Sequence, residues 1–169
     1  VIAVIDSGVD RTNPYLSGRV AYEACYSTTS PTSGSAGQCP NGTNVQYGTG
    51  ASKPCTYSYD CAHGTHVAHT AAGMYGVARG ASIAGVNASH YAVDKDGAFP
   101  SFYSSDLTWA LKYVYDLRVT HGVKVAAVNL SVGGGLFNGY CDGGWNDGTA
   151  APLLVGQWLD AVRSAGIAP

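Results

Sequence analysis

Charge is scarce in this chain. Lys, Arg, Asp and Glu make up 12% of its 169 residues, about half the roughly 25% of an average soluble protein. The net charge is −2, so there is no basic footprint for a nucleic-acid backbone and no nucleic-acid partner is expected. Long apolar runs are missing as well. No stretch approaches the roughly 20 residues that cross a bilayer as a helix, so no membrane partner is expected either. The five cysteines, at 25, 39, 55, 61 and 141, include no Cys-x-x-Cys pair, which argues against a zinc ribbon or a thioredoxin-like redox site. No initiator methionine and no signal peptide precede Val1. The chain opens inside what reads as a strand and stops at Ile167-Ala168-Pro169, where another strand begins. It is therefore expected to be part of a larger domain.

What is present supports one folded unit. A chain of this length can bury one sizeable core. The 23 glycines, together with many Ser and Thr, describe a chain rich in turns, while Val, Ile, Leu and aromatic residues supply the core. Four of the cysteines lie in or beside a Gly/Ser/Thr-rich stretch, which reads as disulfide stapling in an oxidising compartment. The partner of Cys141 is expected outside this sequence.

Val1-Ile2-Ala3-Val4-Ile5 is a continuous apolar, β-branched run, the pattern of a strand buried on both faces. Asp6-Ser7-Gly8 ends it. Residues 26–60 show no periodicity and read as a surface excursion, longer than compact domains usually carry. A helix of small side chains is expected over 63–75, and a strand over Ser82–Val86, weakened by Gly85. Ser104-Ser105-Asp106 reads as a helix start, followed by Leu107, Ala110, Leu111, Val114 and Leu117 at the spacing of a core-facing stripe. Val123 to Leu130 is a further apolar strand. Pro152 suits a first helical turn, Val155, Trp158, Leu159 and Val162 form the next stripe, and Gly166 suits a C-cap. This alternation of strand and helix predicts a parallel α/β sheet with helices on its faces.

Ligands of such sheets bind beyond the carboxyl ends of the strands. Asp6 lies at one such end and Ser131-Val132-Gly133 at another, while His63 begins the helix after the long excursion. A carboxylate beside a histidine fixes its tautomer by accepting Nδ1–H and stabilises the imidazolium. Nε2 is then able to take a proton from a hydroxyl nucleophile.

Three stretches in this order, Val4-Ile5-Asp6-Ser7-Gly8-Val9-Asp10, His63-Gly64-Thr65-His66-Val67-Ala68 and Asn129-Leu130-Ser131-Val132-Gly133-Gly134, resemble successive motifs of the subtilisin-like serine proteases. Gly76-Val77-Ala78-Arg79-Gly80-Ala81-Ser82 resembles the segment that follows the histidine helix in that family. The order acid, then histidine, then serine is that of subtilisin. The resemblance covers nearly the whole chain. It implies a three-layer α/β fold, a parallel sheet with helices on both faces, truncated on its C-terminal side, with residues 1–169 as a partial catalytic domain. It implies a secreted, monomeric serine endopeptidase acting on peptide or protein substrates. Asp6 matches the orienting acid, His63 the general base, and Ser131, Val132 and Gly133 the strand that pairs with extended substrate. Phe99-Pro100-Ser101-Phe102 fall near the opposite substrate-binding strand. The nucleophilic serine belongs to a Gly-Thr-Ser motif, which this sequence lacks. It is expected downstream of residue 169, as is the asparagine of the oxyanion hole, so the chain alone is expected to be inactive.

The chain also departs from the family. His69 stands where glycine is usual, which raises a packing question on a close-packed helix. Tyr15 replaces an aspartate that binds calcium in many relatives, and the short Gly73-Met74-Tyr75-Gly76 loop lacks the asparagine-bearing calcium loop. No cofactor is expected, and the usual calcium ligands are not evident. The cysteine-bearing excursion is expected to take over the stapling role. His63, His66 and His69 diverge around a helix and do not make a zinc set, and His66 reads as structural. Ser7 reads as a turn residue. Gly133-Gly134-Gly135 is not followed by the Lys-Ser/Thr of a phosphate loop. The alternatives to a protease are a peptide-binding pseudoprotease using only the 131–133 edge and a phosphotransferase using Asp6 as nucleophile. The second wants another Asp where Gly8 stands.

Overall fold

The computed structural model describes residues 1–16, 18–133 and 151–169, with the side chains of 151–153 left aside. Along them the chain forms β1 (Ile2–Asp6), β2 (Val20–Tyr26), β3 (Ala36–Gly37), β4 (Val45–Tyr47), α1 (His63–Ala72), β5 (Ile83–Asn87), β6 (Ser89–Asp94), β7 (Gly97–Phe102), α2 (Ser104–Val119), β8 (Ala127–Leu130) and α3 (Ala151–Ser164). The main sheet has the order β4-β2-β5-β1-β8. Its β2, β5, β1 and β8 are parallel neighbours, and β4 is antiparallel to β2. A smaller antiparallel sheet holds β3, β6 and β7.

The two-faced burial expected of β1 sets the layers. Ala3 and Ile5 belong to a core with Leu111 and Val114 of α2 and Val162 of α3. Val4, between them, belongs to a second core with Ala68 and Ala72 of α1. One strand thus feeds two cores, with α2 and α3 on one face and α1 on the other. Each fully buried Ile or Leu contributes about 1.5–3 kcal/mol. The stripes expected in α2 and α3 are the ones used: Ala110, Leu111, Val114 and Leu117 are buried, as is Val162.

Several elements differ from the sequence expectation. Strand β2 was missed because Glu23 interrupts its apolar run, yet that residue is buried. Its carboxylate accepts Gly50 N–H at 3.0 Å and the Ser52 hydroxyl at 2.9 Å, and Arg11 lies at 3.4 Å. The 26–60 excursion is irregular in large part, but it contributes β3 and β4, and it buries Ala51 and Ser52 completely. Gly85 does not weaken β5. A Cβ there would stand 2.9 Å from Ser52 Oγ and 3.0 Å from Val9 Cβ, so the missing side chain lets the excursion lie on the sheet. The β6–β7 hairpin was not foreseen, and it places the 99–102 segment in β7. Strand β8 begins at Ala127, not Val123.

Helix α1 stops at Ala72, short of residue 75, because the chain turns back on itself. The N–H groups of Val77 and Ala78 take the carbonyls of Thr70 and Ala71, two of the orphan acceptors that end any helix. Gly166 ends α3 with φ +77°, and Ala168 then bridges Ala127 of β8 in parallel. Disulfides join Cys25 to Cys39 and Cys55 to Cys61, both within the stretch expected to be stapled. Cys141, Gly134 and Gly135 lie outside the described residues.

The start of α2 is fixed from outside. Asp106, in its first turn, accepts Thr28 N–H at 2.9 Å and the Thr28 hydroxyl at 2.7 Å. Beside it, the buried ring of His90 stacks on Tyr103 at 4.0 Å, and its Nδ1 has no partner among the described residues. Burial pushes the His90 pKa below its ordinary 6.5, with the Asp106 charge opposing in part. The folded state therefore holds a neutral ring, while the unfolded chain takes up a proton once pH falls below about 6.5. The stability tied to this ring is complete above that pH and is lost as pH falls toward the lower folded pKa. Urea midpoints of the complete protein should fall between pH 7 and 5, and His90→Phe, which keeps a stacking ring but cannot titrate, should show a shallower fall. An unchanged slope in that variant would refute the assignment.

Candidate active site

The expected acid and base meet. Asp6 ends β1 with its side chain fully buried, and His63 is the first residue of α1, 57 positions later, with its side chain 51% exposed. His63 Nδ1 lies 2.8 Å from Asp6 Oδ1 and 3.0 Å from Oδ2. A carboxylate in this position selects the tautomer with the proton on Nδ1. Oδ1 also accepts the Ser7 N–H at 2.6 Å. The buried charge therefore has two donors, which offsets part of a desolvation cost of several kcal/mol.

Three bonds tie the turn after β1 to the first turn of α1. One is the His63–Asp6 contact. The second runs from Gly64 N–H to Ser7 Oγ at 3.1 Å. The third runs from Asp10 N–H to Thr65 Oγ1 at 2.9 Å. Ala62, at the N-cap position, offers no side-chain acceptor. Ser7 supplies one from the neighbouring strand, satisfying an otherwise orphan helix N–H. Ser7 was read from the sequence as a turn residue. It is buried, and its hydroxyl donates onward to the Cys61 carbonyl at 3.1 Å. Its place directly after Asp6 was the available signal. Thr65 and Glu23 carried none.

Close approach explains two glycines. Gly8 has φ +105°, and a Cβ there would stand 2.7 Å from the Pro54 backbone. At Gly64 a Cβ would stand 2.8 Å from Asp6 Cβ, so helix and strand could not meet at their present distance.

Ser131, Val132 and Gly133 follow β8 as irregular chain, with Ser131 and Gly133 exposed, and do not continue the strand. The register pairs Ile5 with Leu130, so Ser131 follows at the same end of the sheet as Asp6. The Ser131 hydroxyl donates to Asn129 Oδ1 at 2.8 Å. His66 is exposed on α1. His69 turns instead to Tyr15 and Tyr75, with ring centroids 5.3 and 6.3 Å away. Gly73 leaves the space its ring occupies. No group of three His, Cys, Asp or Glu side chains suited to a metal ion occurs among the described residues.

The family model described as Subtilase family matches residues 1–160. This chain belongs to the subtilase family. Its structure is similar to the crystal structure of a cold-adapted subtilisin-like serine proteinase, with a TM-score of 0.51 and 22% sequence identity, over 95% of this chain and 42% of that one. The likeness shows the fold, and the chain spans well under half the length of that relative. None of the curated proteins matches. Within this fold, Asp6 at the carboxyl end of β1 and His63 at the start of α1 lie on adjoining elements.

Substituting Gly64 with Ala should destabilise the complete protein by about 1–3 kcal/mol, the usual range for overpacking, because the new methyl meets the Gly8 carbonyl and Asp6 Cβ. Equilibrium unfolding in urea measures it, and a variant as stable as the parent would show that the contact yields.

Proposed function

We propose that the complete protein is a serine endopeptidase in which Asp6 and His63 are the acid and base of a catalytic triad. The observation that carries this reading is the Asp6–His63 contact at 2.8 Å in a chain of the subtilase family. The nucleophilic serine and the oxyanion-hole asparagine come from the protein beyond residue 169. By itself the present chain turns nothing over.

In this reading Asp6 holds the ring with its proton on Nδ1. Nε2 takes the proton of the serine hydroxyl as the serine oxygen bonds to the peptide carbonyl carbon. The imidazolium then passes that proton to the departing amine nitrogen as the C–N bond breaks, leaving an acyl-enzyme. Water enters by the same route in reverse: Nε2 takes its proton, hydroxide adds to the acyl carbon, and the proton returns to the serine. Ser131, Val132 and Gly133, the first and last of them exposed, lie at the sheet end that carries Asp6 and offer backbone groups to an extended peptide. The two disulfides fit an oxidising compartment, so the protein is read as secreted. No helix among the described residues is long and apolar enough to cross a membrane.

The test uses the complete protein. A serine-directed phosphonylating reagent should inactivate it, and His63→Ala should lose peptide hydrolysis by several orders of magnitude. Turnover at parental rates in that variant would sink the assignment.

A further inference from the structure

The loop closed by Cys55 and Cys61 ends two residues before His63, and its last carbonyl is part of the site. Cys61 is buried, and its carbonyl accepts the Ser7 hydroxyl at 3.1 Å. The Ser7 hydroxyl proton faces the Cys61 carbonyl, with the Asp60 carbonyl farther off at 3.4 Å, and Ser7 Oγ presents a lone pair to Gly64 N–H at 3.1 Å. Ser7 N–H in turn binds Asp6 Oδ1. One chain of contacts therefore runs from the disulfide through Cys61, Ser7 and Gly64 to the helix turn that carries His63.

The two halves of the Asp6–His63 pair are not equally free to move. Asp6 sits in a strand paired on both sides, by β5 and β8, and its side chain is fully buried. The His63 side chain is half exposed, on a helix whose N-cap residue offers no side-chain acceptor. Any shift in the Cys61 carbonyl is therefore taken up by His63. Two anchors hold the loop that carries this carbonyl. One is the disulfide. The other is Tyr57, whose ring meets Tyr91 of β6 edge-on at 4.9 Å. Between them, Ser58 caps the short turn Tyr59–Ala62 by accepting Asp60 N–H at 3.2 Å.

We propose that the Cys55–Cys61 loop is a positioning element of the Asp6–His63 pair, acting through the Cys61 carbonyl and the Ser7 hydroxyl; this rests on the protease reading above. The disulfide does more than stabilise the fold. It fixes the first turn of α1 relative to β1. Cys25–Cys39, the other disulfide, closes a loop on β2 and reaches Asp6 only through strand pairing, Cys25 with Asn87 and Asn87 with Asp6, with no contact to the first turn of α1 among the described residues.

The experiment compares Cys55→Ser/Cys61→Ser, Ser7→Ala, their combination, and Cys25→Ser/Cys39→Ser in the complete enzyme, each below its own melting temperature. Two quantities are read: kcat and KM on a peptide amide, and the low-field proton resonance of the His63 Nδ1–H bonded to Asp6. Removing the 55–61 bridge should lower kcat by about ten- to a hundredfold, the scale of an ångström-size misplacement. KM should change little and the low-field resonance should broaden or shift. Ser7→Ala, which leaves the disulfide intact, should do the same. The combination should be no worse than the larger single effect, because both act along one path. Removing the 25–39 bridge should lower the melting temperature and leave kcat and the resonance in place. The proposal is overturned if loss of the 55–61 bridge lowers only the melting temperature, or if the two effects on kcat multiply. If the parent neither reacts with the phosphonylating reagent nor turns over, the protease reading fails by itself, and the His63 resonance still decides the positioning claim.

Discussion

A buried carboxylate at the end of a central strand governs the arrangement of this molecule. Asp6 cannot be hydrated where it lies, so its charge must be met by protein donors, and the cost of leaving one unmet is several kcal/mol. The donors are the Ser7 N–H and His63 Nδ1. The second reaches it only because α1 starts directly against the end of β1. That placement in turn requires the absent side chains of Gly8 and Gly64, the small Ala68 and Ala72 that seat the helix on the sheet, and a connection long enough to leave the strand edge and return. The chemistry of one pair thus explains the small-residue composition of two distant stretches.

A second buried carboxylate supports the first from below. Glu23 on β2 holds Gly50 and Ser52. The Ser52 carbonyl accepts Val9 N–H at 2.7 Å, while its hydroxyl gives its one proton to Glu23. Val9 follows Gly8 in the turn that leaves Asp6. The excursion between the acid and the histidine is therefore fastened to the sheet at its middle by Glu23 and at its end by the Cys61 carbonyl. Such fastening suits the 26–60 stretch, which has little secondary structure of its own and would otherwise be uncommon in a compact domain.

The parts of this architecture that were legible in the sequence are those where periodicity and burial agree. Val1–Ile5 is apolar at every position because both faces of β1 are covered, and the α2 stripe is regular because one face alone is. The pairing of Asp6 with His63 was legible through motif order, which no single residue carries. β2 was hidden because its buried glutamate looks like a surface residue until its partners at 50 and 52 are known, and those lie in a stretch without periodicity. The β6–β7 hairpin was hidden for a related reason: the charged Asp94, Lys95 and Asp96 break the apolar pattern, and only the resemblance placed Phe99–Phe102 at a strand. Ser7 was undervalued because a hydroxyl that bridges two elements looks, in one dimension, like a residue that ends one of them.

The rings of His69, Tyr15 and Tyr75 form a three-way cluster, with centroids 5.3, 6.1 and 6.3 Å apart, in space left by Gly73. Positions 15 and 69, and the 73–76 loop that carries Tyr75, are the places where the sequence reading expects departures from the usual family residues, and they touch. They are therefore best regarded as a single unit of variation. A small residue at 69 would leave two phenols that touch only each other, and a short acidic residue at 15 would open a gap beside an imidazole. Sequence change at this end of α1 should proceed by joint replacement, with positions 73 and 75 constrained to follow.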